Sequence, residues 1–167
     1  KQVWWRSLCD WPEHGADAAA QPAAHLRIER VRTEQRLLWA QVVSVSFGGG
    51  RLQDADVDIS LANAYKQATA CFLAWVGDSP AGGGALAIYD GVAICYSAST
   101  RPAFRRLGIQ RALLQTRLAY AVEQGCDLAS VSTTPGSPSQ RNVERLGFRL
   151  AYTKLTAASE IPPSPPD

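Results

Sequence analysis

Residues 92–124 change their periodicity once, and that change limits the folds open to this chain more than any other feature. The run Val92-Ala-Ile-Cys-Tyr-Ser97 is a strand entered from Asp90-Gly91, the strongest short hairpin signal in the sequence. A basic turn containing Gly108 follows. From about 107 to 124 the apolar residues Leu114, Leu118, Ala121 and Val122 recur at helical spacing, and Gly125 stands where a helix stop belongs. A strand that passes through a glycine turn directly into a helix leaves the first N–H groups of that helix free and aims its positive dipole end at the turn. This is a physical arrangement for holding phosphate.

The flanking elements set the class. Residues 26–31 alternate like a half-buried strand, and Thr33 can cap a helix carrying Leu37, Leu38, Ala40, Val42, Val43 and Val45. Gly48-Gly-Gly50 ends that helix, and a weaker helical stretch runs near 60–67. Residues 68–76 and 85–89 read as a hairpin joined by the turn Gly77-Asp-Ser-Pro80 and the glycine run 82–84, so three antiparallel strands are expected with 92–97. Beyond the long helix come a strand at 127–132, a loop at 133–138, a short helix at 139–146 ended by Gly147, and a strand at 148–153. The prediction is an α/β (α+β) domain with a mixed, mostly antiparallel sheet flanked by helices, spanning 25–157.

Residues 1–24 mix Trp4, Trp5 and Trp11 with an Ala/Gln/Pro stretch and show no period, so they read as an N-terminal arm. Its tryptophans are candidates for packing on the domain or on a second copy in a homodimer. Residues 158–167, largely proline, read as a flexible tail.

Composition excludes several function classes. In 167 residues, 46% apolar and 19% charged, one core is expected. A net charge of +2 argues against nucleic acid, and no apolar run is long enough to span a bilayer or to serve as a signal peptide. A cytoplasmic protein is the expectation. Cys9, Cys71, Cys95 and Cys126 lack the spacing of zinc or dithiol sites, and His14 and His25 lack metal-like partners, so no metal is expected. The glycine turn lacks both the Lys-Ser/Thr ending of an ATP-binding loop and the three glycines of a dinucleotide fingerprint.

The segment Pro102-Ala-Phe104-Arg105-Arg106-Leu107-Gly108-Ile109-Gln110 resembles the signature of the GNAT superfamily of acyl-CoA-dependent N-acyltransferases: Arg or Gln, two residues, Gly, one residue, then Gly or Ala. Gln110 is the departure. The resemblance continues to Glu144-Arg145-Leu146-Gly147-Phe148, similar to the family's closing helix and Gly-Phe, and covers about 26–156. It implies a GNAT-like sheet with splayed central strands forming an acyl-CoA cleft. It further implies acetyl-CoA as donor, an amine as acceptor, and pairing of the backbone of Ser99, Thr100 and Arg101 with the pantetheine arm. The amides of Arg106, Leu107, Gly108, Ile109, Gln110 and Arg111 would cradle the pyrophosphate, Arg105 would add charge, and Ser137, Ser139 and Asn142 would contact the sulfur end. A Gln110 side chain directed into solvent would leave its amide available.

Transfer to an amine requires loss of the amine's proton and a donor for the developing negative charge. Where family members often carry a Glu, residues 92–100 have no carboxylate, and the family's frequent Tyr four residues before the helix-ending Gly is Val143. Tyr96, Asn142 and Tyr152 remain as candidate catalytic groups. The acceptor pocket would be built from about 43–66, where Asp54, Asp56 and Asp58 read as an acidic surface loop. An acyl-CoA-binding module without catalysis is the alternative.

Overall fold

A computed structural model describes residues 1–11, 25–47 and 53–156. Its strands are β1 (Gln2–Ser7), β2 (Leu26–Arg30), β3 (Thr69–Val76), β4 (Ser79–Tyr89), β5 (Val92–Thr100), β6 (Leu128–Thr133) and β7 (Arg149–Thr153). Its helices are α1 (Arg36–Phe47), α2 (Asp54–Ala64), α3 (Ile109–Glu123) and α4 (Pro138–Arg145), with single 3-10 turns at Thr33–Gln35 and Pro102–Phe104. The strands form one seven-stranded sheet in the order β2-β3-β4-β5-β6-β1-β7. All neighbours are antiparallel except β5 and β6. The mixed, mostly antiparallel sheet with flanking helices agrees with the expected class.

The sheet is packed on both faces. Trp39, Val43 and Val57 from α1 and α2 lie on Leu73 and Ala85. On the opposite face Ile109, Leu113 and Leu118 of α3, with Val143 of α4, join Leu86, Cys95 and Val131. Asp90 and Gly91 both take positive φ (46° and 76°), as the tight β4–β5 hairpin demands.

Three expectations change. The glycine run 82–84 lies inside β4, which begins at Ser79, and does not form part of a connection. Space explains this. A Cβ on Gly82 would stand 2.6 Å from the Ser99 carbonyl, one on Gly83 3.0 Å from Trp39 Nε1, and one on Gly84 3.1 Å from the guanidinium carbon of Arg117. Second, α2 covers Asp54–Ala64, earlier than 60–67, and takes Asp54, Asp56 and Asp58 out of the surface loop assigned to them. Asp54 and Asp56 occupy its first turn, where negative charge favours the helix dipole.

Third, the first part of the arm is a strand. β1 is inserted between β6 and β7, antiparallel to both. Trp4 and Trp5 project to opposite faces, Trp4 at 5% exposure and Trp5 at 37%, so two adjacent aromatics hide the alternation. The Trp4 indole donates to Thr133 Oγ1 at 2.9 Å, and Arg6 lies 4.7 Å over the Trp11 ring while donating to the Leu146 carbonyl at the end of α4. The stretch 18–24, His14, Gly48-Gly-Gly50 and the tail 158–167 lie outside the described residues.

Candidate functional site

The site begins where β5 loses a neighbour. Its parallel pairing with β6 ends at Cys95 opposite Val131. On the other side the ladder with β4 continues through a bulge: Ala85 faces Tyr96 and Gly83 faces Ser99, so Gly84 is opposed by both Ser97 and Ala98. Ser97 takes φ +48°, and such an extra residue bends its strand. The far half of β5 therefore diverges from β6 and leaves the edge facing that strand open.

The wedge is a cavity of about 580 Å³. Ala98, Ser99 and Thr100 form one wall, Ser137, Ser139 and Asn142 the other, and Gly108 to Arg111 close the end. The Ser99 and Thr100 hydroxyl oxygens are themselves buried, without a hydrogen-bond partner among the described residues, so these two residues do not offer their hydroxyls to the cavity.

At the closed end, Gly108 caps α3 with φ +75° and Arg106 precedes it at φ +68°. The first helical bond runs from the Ala112 N–H to the Gly108 carbonyl at 3.0 Å, leaving the N–H groups of Ile109, Gln110 and Arg111 without helical acceptors. Arg105, Arg106 and Arg111 are the charged residues of the lining. The lining thus combines free N–H donors, a helix dipole and cations, and among the described residues it has no carboxylate, histidine, tyrosine or cysteine.

Not every predicted residue meets here. Arg101 contributes its N–H to the Ala81 carbonyl at 2.9 Å and its guanidinium to the Pro80 carbonyl at 3.1 Å, so it is occupied with β4, and Leu107 is not part of the lining. The Gln110 side chain does not point to solvent; its Oε1 accepts from Asn142 Nδ2 at 3.4 Å, linking α3 to α4 across the cleft. Ser137 caps α4, accepting from the Gln140 N–H at 3.2 Å.

Tyr96 belongs to the α1/α2 side, packed on that cluster with its hydroxyl 2.7 Å from Thr69 Oγ1. Burial pushes its phenol up, against the lowering effect of the Thr69 hydrogen bond. Tyr152 is 58% exposed on β7, because β1 inserts between β6 and β7 and moves β7 to the sheet edge. Neither tyrosine lines the cleft. Burial also raises the Cys95 thiol and pushes Cys71 to about 12, so neither is a thiolate at neutral pH.

Arg117, Ala98, Phe104 and Pro138 were not singled out from sequence. The last three line the cavity, and Phe104 stands within the quoted motif. Arg117 is 2% exposed beneath the bulge. Its place between Leu113, Leu114, Leu118 and Ala121 on the buried stripe of α3 was the available signal.

The model of the acetyltransferase (GNAT) family matches residues 34–148, well over half of the chain. Among solved structures, a GCN5-related N-acetyltransferase from Kribbella flavida superposes with a TM-score of 0.63 at 16% identity, over 89% of this chain and 53% of that one. AAC(6')-Iy in complex with the bisubstrate analogue CoA-S-monomethyl-acetylneamine gives 0.66 at 18% identity, over 83% and 100%. A GCN5-related N-acetyltransferase from Sphaerobacter thermophilus gives 0.65 at 16%, over 90% and 48%. This chain therefore spans about half the length of the first and third. At these identities the likeness is one of fold. No curated protein matches the sequence.

Proposed function

The chain belongs to the acetyltransferase (GNAT) family, and from that premise we propose that it transfers an acetyl group from acetyl-CoA to a primary amine, with donor and acceptor bound together. One observation carries the reading. The edge of β5 left open beyond Cys95 and the free N-terminus of α3 bound a single cavity. These groups fit the two chemistries of a coenzyme A molecule, an amide-bearing arm and a pyrophosphate.

In this reading residues 98–100 hold the arm by strand-like pairing, and the N–H groups of Ile109, Gln110 and Arg111 hold the pyrophosphate, with Arg105, Arg106 and Arg111 balancing its charge. Acetyl-CoA supplies the activated thioester. Ser137, Ser139 and Asn142 close the facing wall, and the Asn142–Gln110 bond fixes its distance from α3. Positioning two reactants accelerates their reaction without a titrating group. In this reading the amine's proton passes to water, Asn142, held by Gln110, orients the reactants, and Tyr96 and Tyr152, which lie outside the described lining, take no part. A cytoplasmic location goes with this reading; among the described residues no helix is long and apolar enough to cross a membrane.

The test is release of free thiol from acetyl-CoA across a panel of primary amines that includes aminoglycosides, the acceptor class in the names of some structural neighbours. Amine-dependent release is expected. Tight binding of coenzyme A with no release across the panel selects the alternative, an acyl-CoA-binding module.

A further inference from the structure

Arg117 brings a guanidinium to a place where nothing pairs with its charge. It is 2% exposed, and among the described residues no carboxylate forms an ion pair with it. Its partners are backbone carbonyls: Nε donates to Leu113 at 3.0 Å, and Nη1 donates to Ala85 at 3.0 Å and to Tyr96 at 3.2 Å. Replacing buried ionic groups by apolar ones is often neutral or stabilising, so core packing alone does not account for an arginine here.

The location of those carbonyls does. Ala85 and Tyr96 are the pair that faces across β4 and β5 immediately before the bulge, and Gly84 is the residue opposed by two. The guanidinium lies against Gly84, whose absent Cβ would be 3.1 Å from Cζ and 3.2 Å from Nε. Arg117 thus takes the space of the missing side chain and binds one carbonyl from each strand. Nη1 alone bridges the two strands, while Nε ties the same rigid plane to the Leu113 carbonyl of α3, a second fixed donor that an ammonium lacks.

We propose that Arg117 is a positioning residue for the acyl-donor cleft: it locks the β4–β5 bulge in register and so fixes which edge of residues 98–100 faces the cavity. The consequence follows from the two-residue period of a strand. Removing the extra residue from the ladder would turn every side chain and N–H after Ser97 to the opposite side, carrying Ser99 and the open edge out of the cleft. This rests on the acetyl-CoA reading for its functional meaning, but the register claim stands apart from it.

The experiment compares the full chain with Arg117→Met and Arg117→Lys by hydrogen exchange without ligand and by calorimetric titration with coenzyme A. Each lost hydrogen bond corresponds to about tenfold. In Arg117→Met the amides of 97–100 should exchange about tenfold faster or more while those of β2, β3 and α4 stay within twofold, and coenzyme A should bind at least about tenfold more weakly. Arg117→Lys, which keeps one strong donor, should fall between. Exchange at 97–100 within twofold of the parent in both variants overturns the proposal, as does acceleration spread evenly over the sheet. If Arg117→Met does not fold, the lysine variant decides on the same criteria. Failure of the parent to bind coenzyme A would count against the functional reading, while the exchange comparison would still decide the role of Arg117.

Discussion

Replacing Gly108 by valine separates the stability of the turn from its use. Gly108 adopts φ +75°, a conformation that costs an L-residue about 1–2 kcal/mol and a β-branched one the most. A Cβ there meets no atom within 4 Å, so backbone strain is the only folding penalty. At roughly 2–4 °C per kcal/mol for a domain of this size, the melting temperature should fall by about 2–8 °C and the chain should remain folded. Binding should respond more strongly. Gly108 caps α3 and lines the cavity beside the N–H groups of 109–111, so any shift that relaxes φ misaims them. Charge-assisted hydrogen bonds contribute about 1.5–3 kcal/mol each, and loss of one or two weakens coenzyme A about tenfold to several hundredfold or more. Calorimetric titration beside thermal melting reads both. A lower melting temperature with unchanged affinity would refute the placement of the pyrophosphate, and no change in either would refute the left-handed turn itself.

Ser99→Ala should leave the melting temperature unchanged or raise it by about 2–4 °C, because it removes a buried hydroxyl that has no partner; a clear fall in a thermal melt would show that the hydroxyl is paired. The pH profile of kcat/KM should rise with deprotonation of the amine itself and show no further limb between about pH 6 and 8, since the cavity lining carries no group that titrates there. Cys71 should make stability fall at alkaline pH. Burial holds its folded thiol up at about 12, so the folded state retains a proton that the unfolded state loses from about pH 9, and melting temperature should drop between those values, less steeply in Cys71→Ala. Deleting residues 1–7 removes β1 from between β6 and β7 together with the buried Trp4, so the circular dichroism melt should lose its cooperativity; an unchanged melt would contradict the sheet order.

What was legible in the sequence were features set by neighbours along the chain. The Asp90-Gly91 hairpin, the α3 stripe of Leu114, Leu118 and Ala121, and the Gly108 turn all follow from local periodicity or φ requirements, and the structure places them as expected. What was hidden depends on contacts made far away. The glycines of 82–84 look like a linker until Trp39, Arg117 and Ser99 are seen to occupy the space of their side chains. Gln2–Ser7 looks like an arm because its partners, β6 and β7, lie more than a hundred residues on. Arg117 stands on the buried stripe of α3, but the carbonyls that receive it come from β4 and β5 and cannot be read along the chain. The same insertion of β1 explains why Tyr152 stands at an exposed edge.

The central claim is that one cavity, bounded by the open edge of β5 and the N-terminus of α3, receives the acyl donor. A crystal structure of the complex with coenzyme A tests it most directly. The prediction is a pyrophosphate within about 3 Å of the N–H groups of Ile109, Gln110 and Arg111, and a pantetheine arm along residues 98–100, hydrogen-bonded to their backbone. Coenzyme A bound elsewhere, or bound with that edge still unpaired, would contradict the account.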